Sequence, residues 1–159
     1  RAINCLYHSG IIGFCGKIVE LDILDFKPGR RCYFKDLGIA NFYMTQAGLD
    51  KASINGTLNE NYVYINLAKR LDFPQQIAFE TPAFATYKNG EIDFYVQSLK
   101  ERTRYVIEVK SGKQSGNTAK KALFDGKAEY LLYLKGNTHG GVEGKIITRP
   151  IYTLERFHF

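Results

Sequence analysis

Apolar and polar positions change period several times along the chain, and each change predicts an element. Across residues 2–12 apolar side chains recur at helical spacing and stop at Gly10 and Gly13, which predicts a short helix with a glycine stop. Residues 17–25 read as a strand, Pro28-Gly29 as a turn and residues 31–34 as a second strand. Asp36-Leu-Gly38 leads into a helix through Met44, and residues 46–56 look like a loop. The clearest helix is expected from Thr57, because Thr57-Leu-Asn-Glu60 has the spacing of a capping box, in which the two side chains each satisfy a backbone N–H of the first turn. Val63, Leu67 and Leu71 mark its apolar face, with Tyr64 and Ala68 beside them, and Pro74 bars its continuation.

Beyond Pro74 the period drops to two. Residues 81–87 form a predicted strand and Asn89-Gly90 a tight hairpin turn. In the next strand Ile92, Phe94 and Val96 alternate with Glu91, Asp93, Tyr95 and Gln97, so the two sets are expected on opposite faces. A charged loop leads to a third strand over residues 104–110, and the polar stretch 111–117 opens a short helix through Phe124. Residues 129–134 are almost wholly apolar, the pattern of a strand covered on both sides. A glycine-rich turn then precedes a last strand over residues 146–152. The order from Thr57 onward predicts an α/β (α+β) domain, a mixed central sheet flanked by helices.

Composition narrows the function classes. The 159 residues, 45% hydrophobic and 24% charged, suffice for one well-packed domain, and no run of about 18 apolar residues could span a membrane. The chain opens on Arg1 with no charged-then-apolar leader behind it, which reads as a piece of a longer protein. Three cysteines, Cys5, Cys15 and Cys32, match neither a disulfide framework nor a zinc spacing; as reduced, packed thiols they favour a cytoplasmic setting. The formal charge of +6 is compatible with a polyanionic partner without establishing one.

One constellation carries chemistry. Asp93 begins one strand, and Glu108-Val-Lys110 ends the next with its two charged residues on a common face. If the strands pair as a hairpin, two carboxylates and an ammonium meet near one sheet end. That set suits phosphodiester hydrolysis with Mg2+ or Mn2+: hard cations take carboxylate oxygens, and a lysine can position the nucleophile or offset phosphate charge. The same spacing also occurs as plain solvent-face decoration. Val106, Ile107 and Val109 argue otherwise, because they make the strand a buried one, where charge is costly without a partner.

Asp93 and Ile107-Glu-Val-Lys110, with fourteen residues between Asp93 and Glu108, resemble the core motif of the PD-(D/E)xK nuclease superfamily. Three segments resemble more closely the domain of unknown function DUF4143, found C-terminal to the ATPase module of many prokaryotic AAA-type proteins. They are Cys32-Tyr-Phe-Lys-Asp-Leu-Gly-Ile39, Gly56-Thr-Leu-Asn-Glu-Asn-Tyr-Val63, and Gly90-Glu-Ile-Asp-Phe94 with Ile107-Glu-Val-Lys-Ser111. The resemblance implies a restriction-endonuclease-like core over residues 46–159, preceded by a helix–strand element over residues 1–45 that is a winged-helix remnant in that family. It further implies Asp93 and Glu108 as metal ligands, Lys110 as the catalytic lysine, Glu60 as a further acidic ligand, and Glu91 as an assistant to Asp93. An ATPase module in cis and a DNA substrate are the implied partners. No Gly-Lys-Ser/Thr phosphate loop occurs, so this segment is not expected to hydrolyse ATP itself.

Lys113, Lys120 and Lys121 are the candidate nucleic-acid contacts, with a solvated helix face as the plain alternative. Tyr62, Tyr64, Tyr95 and Tyr105 are either core residues or base-stacking platforms. His8, His139 and His158 are far apart in sequence and match no metal-ligand spacing. The functional expectation is a metal-dependent nuclease-like domain acting on DNA. Its alternative is a catalytically silent nucleic-acid- or protein-binding module on the same fold.

Overall fold

A computed structural model describes residues 2–25, 31–71, 81–111 and 117–159. The Pro28-Gly29 turn, Pro74 and Lys113 lie outside the described residues. The elements run α1 (Ala2–His8), β1 (Ile12–Val19), β2 (Ile23–Asp25), β3 (Arg31–Phe34), α2 (Leu37–Gln46), α3 (Lys51–Leu71), β4 (Ala83–Tyr87), β5 (Gly90–Gln97), β6 (Arg104–Lys110), α4 (Asn117–Phe124), β7 (Tyr130–Lys135), β8 (Gly141–Glu143) and β9 (Ile146–Pro150), with a closing 3-10 helix (Ile151–Arg156). None of the described helices is long and apolar enough to cross a membrane.

The strands form one mixed sheet in the order β2-β1-β4-β5-β6-β7-β9-β8, with β3 paired to the first half of β1. β1 and β4 are parallel, as are β6, β7 and β9, and the remaining pairs are antiparallel. One sheet face packs Phe94, Ile107 and Leu132 against Val63, Tyr64 and Leu67 of α3 and against Leu154 of the 3-10 helix. The other packs Ile92, Val106 and Leu131 against Ala119, Ala122 and Leu123 of α4. The result is the expected α/β arrangement of a mixed sheet flanked by helices. β7, with Leu131, Leu132 and Leu134 wholly buried, occupies the doubly covered position that its apolar run predicts. Each of those leucines contributes about 1.5–3 kcal/mol of burial. The expected division between residues 45 and 46 falls in the last turn of α2, while β1 bonds directly to β4 within the same sheet.

Several local expectations change. The single strand over residues 17–25 is in fact the end of β1, a reversal, and β2. Glu20 and Leu21 both take left-handed backbone conformations there, and Leu21 is buried in the core. Such a turn carries no glycine or asparagine signal; burial of the leucine offsets its backbone cost of about 1–3 kcal/mol per residue. The stretch 46–56 is only partly loop, because α3 starts at Lys51. Asp50 Oδ1 accepts the N–H groups of Ala52 and Ser53 at 2.9 and 3.0 Å, so Asp50, and not Thr57, caps that helix. Asp36 caps α2 through the Ile39 N–H. The β4–β5 hairpin turns on Lys88 and Asn89, both at positive φ, one residue earlier than expected. Gly90 instead opens β5, where a Cβ would stand 2.1 Å from the Thr118 hydroxyl.

Candidate functional site

A bulge in β5 shapes the centre. Ala83 pairs with Tyr95 and Ala85 with Ile92, so β5 carries one residue more than β4 across that interval. The strict alternation expected for β5 therefore breaks: Ile92 and Tyr95 share the α4 side, whereas Phe94 and Val96 face α3. Bulges re-aim side chains in this way. Asp93 sits inside the bulged interval.

The β5–β6 ladder runs from Gln97↔Arg104 to Phe94↔Ile107, and its next step would set Asp93 against Glu108. At that point the Asp93 carboxylate takes over as acceptor, with Val109 N–H donating to Oδ2 at 2.8 Å. Lys110 Nζ lies 2.7 Å from Glu108 Oε2 and 3.7 Å from Asp93 Oδ2. The structure thus brings Asp93, Glu108 and Lys110 together at one end of two central strands. Glu108 is only 2% exposed, so its charge depends on these neighbours.

Glu60 approaches from α3. Its Oε2 accepts the Tyr33 hydroxyl at 3.3 Å, and Tyr33 stacks on Tyr64 in the core. Burial raises the Glu60 carboxyl, and the Asp93 charge adds to that rise against Arg31, Tyr33 and Lys110. Burial and then Asp93 likewise raise Glu108, opposed by Lys110. Burial works against the Lys110 ammonium, but Glu108, Asp93 and Glu60 outweigh it and hold its pKa above the usual lysine range. Glu91 lies at the rim, bonded to Arg31 at 2.5 Å, and Arg31 also covers the Phe84 ring. Among the described residues, four carboxylates (Glu60, Glu91, Asp93, Glu108) face two cations (Arg31, Lys110), an excess of two formal negative charges.

Among the described residues no three His, Cys, Asp or Glu side chains form a ready metal cage. Hard divalent cations need less: Mg2+ is held by one or two carboxylates and keeps several waters. Asp93 and Glu108 supply that oxygen pair, and the excess charge matches a divalent ion in sign and size.

Three contributors escaped the sequence reading. Tyr33 and Arg31 reach Glu60 and Glu91 from β3, across separations that no local period encodes. Asn61, 2% exposed, ties α3 to β3 by accepting the Phe34 N–H at 2.7 Å and donating to the Thr57 carbonyl. A polar residue at a core position of the α3 apolar pattern was the available signal. Of the candidate contacts in α4, Lys121 is exposed and Lys120 half-buried. Tyr64, Tyr95 and Tyr105 are buried at 4–5% exposure and serve the core, not a stacking platform. All three cysteines are free, and burial pushes the Cys15 thiol up to about 12, the behaviour of a packed thiol.

Comparison of the chain with protein families, curated proteins and solved structures returns no match.

Proposed function

We propose that this domain is a divalent-metal-dependent phosphodiester hydrolase with a nuclease-like centre acting on DNA. The observation that carries the reading is the convergence of Asp93, Glu108 and Lys110, within 2.7–3.7 Å of the lysine, at the opened end of the β5–β6 pair. Asp93 and Glu108 are the residues that would hold Mg2+ or Mn2+, with Glu60 beside them. When bound, such an ion lowers the pKa of its water and offsets charge on the phosphate.

The protein's own groups do the rest. The Val109 amide orients Asp93, and the Tyr33 hydroxyl orients Glu60. The Lys110 ammonium, anchored on Glu108, is placed to position a nucleophilic water or to offset phosphate charge. The succession α3, β4, β5, β6, α4, β7 supports a restriction-endonuclease-like core, and the motif resemblance supports an ATPase module in cis. Free thiols fit a reducing, cytoplasmic setting.

A second reading, a catalytically silent binding module on the same fold, draws on the Lys110–Glu108 pair, which satisfies part of the centre without a metal. Calorimetric titration of Mg2+ and Mn2+ into the unaltered protein and Asp93→Ala, run beside a plasmid-nicking assay, separates the two. Binding and nicking that both vanish in the variant support the hydrolase. Metal binding without nicking favours the silent module, and absence of metal binding sinks the hydrolytic reading.

A further inference from the structure

His139, Arg149, Arg156 and His158 line one concavity of about 480 Å³, with Pro150, Thr153 and Phe157 completing its wall. None of these residues belongs to the carboxylate centre. We propose that this concavity is a second binding site, taking a phosphate group of a nucleic-acid strand whose path crosses the carboxylate centre.

Charge is the first argument. Among the described residues the ion pairs include neither Arg149 nor Arg156, so two guanidiniums face one hollow without a carboxylate partner. Glu155, the acidic residue of the adjacent 3-10 helix, lies beside Tyr62 and Arg70 of α3 instead. Two guanidinium forks, with two imidazoles in the same lining, match the several acceptor oxygens of a phosphate.

Preorganisation is the second. The wall from Pro150 to His158 is held from behind: Leu154 is wholly buried, the Arg70 guanidinium donates to the Leu154 and Phe157 carbonyls, and the Thr153 hydroxyl donates to the Pro150 carbonyl at 2.7 Å. The opposite wall needs Gly140, at φ +79°, where a Cβ would meet the Thr148 carbonyl at 3.1 Å. That close approach sets Gly140 beside Pro150 and Arg149, and the preceding residue, His139, lines the concavity.

Placement is the third. Lys110, Lys135 and Pro150 stand in register at the same ends of β6, β7 and β9. Two strand spacings, about 10 Å, therefore separate the carboxylate strand from the concavity across the strand ends. The choice of nucleic acid over another polyanion rests on the hydrolase reading; the anion site itself does not.

The test measures binding of a fluorescein-labelled oligonucleotide, single-stranded and as a duplex, by anisotropy in chelator and over a salt series. The proteins are the unaltered chain, Arg149→Ala with Arg156→Ala, and the paired Arg→Lys changes. The alanine pair is expected to weaken binding about tenfold or more. It should also lower the slope of log K against log salt by about 0.7 for a single strand, the share of one phosphate contact. The lysine pair should recover much of both, while the melting midpoint and Mg2+ titration stay unchanged. Equal affinity and slope in the alanine pair would overturn the proposal, as would failure of the unaltered chain to bind either oligonucleotide. If inorganic phosphate binds calorimetrically and only that binding is lost, the site belongs to a free phosphate ligand and the nucleic-acid assignment falls. Arginine-dependent oligonucleotide binding alongside a failed metal titration would leave this site standing and remove the hydrolase.

Discussion

The Val109 backbone N–H donates to Asp93 Oδ2 at 2.8 Å, one step beyond the last paired residues of the β5–β6 ladder. A side chain has replaced a backbone carbonyl as acceptor. The same carboxylate thus terminates the strand pairing and presents its charge to Lys110 and Glu108. Structural and chemical roles are joined in one residue, and variants can separate them.

Asp93→Ala leaves the Val109 N–H without its acceptor in a buried strand, which should cost about 1–3 kcal/mol. Asp93→Asn retains a carbonyl acceptor and should keep most of that stability while losing metal affinity. Denaturant unfolding and metal calorimetry on both variants check this. Equal destabilisation of the two, or undiminished metal binding in the asparagine variant, would contradict it.

Among the described residues, Lys110→Met leaves the buried Glu108 carboxylate facing the repulsive charges of Asp93 and Glu60. Removing one member of a fully buried pair costs about 3–5 kcal/mol; with the Lys110 side chain a quarter exposed, about 2 kcal/mol is expected here. Adding Glu108→Gln should restore at least half, because the isolated charge is then gone. Urea midpoints of the two singles and the double variant form the cycle. Simple additivity would show that the pair is not coupled.

Gly90→Ala drives a Cβ into Thr118, whose three nearest side-chain atoms stand at 2.1–3.0 Å. A loss of about 1–3 kcal/mol is expected, the usual cost of overpacking. Thr118→Ala removes the two closest atoms and should recover part of that loss in the double variant. Thermal melting decides the matter, and a neutral Gly90→Ala would show that α4 moves aside freely.

Acid stability should depend on Glu129. Its carboxylate accepts from Arg104 Nε, from the Arg104 guanidinium terminus at 2.6 Å and from the Arg104 backbone N–H at 2.7 Å. The Arg104 side-chain bonds are the largest cause that holds the Glu129 carboxyl below its ordinary value of 4.5. A depressed folded value means stability present above 4.5 and lost as pH falls through the folded value. Both side chains are a third or more exposed, so solvent screening limits the contribution to about 1 kcal/mol or less. Glu129→Gln should lower the urea midpoint at neutral pH and flatten its fall on acidification; an unchanged acid limb would refute the assignment.

Strong local patterns were legible in the chain itself. The apolar run of β7 specified a doubly covered strand because a buried parallel position admits no polar face. The apolar face of α3 was readable because helical period is local chemistry. The i, i+2 spacing of Glu108 and Lys110 placed them together, since strand alternation is a property of the backbone. Tertiary structure decided the rest. The bulge that re-aims Asp93 arises from the mismatch between β4 and β5, which neither strand shows alone. Glu60 meets Tyr33, and Arg31 meets Glu91, only through packing of elements distant in sequence. Periodicity encodes which face a side chain occupies; only the closed sheet and the helices packed on it determine which faces meet.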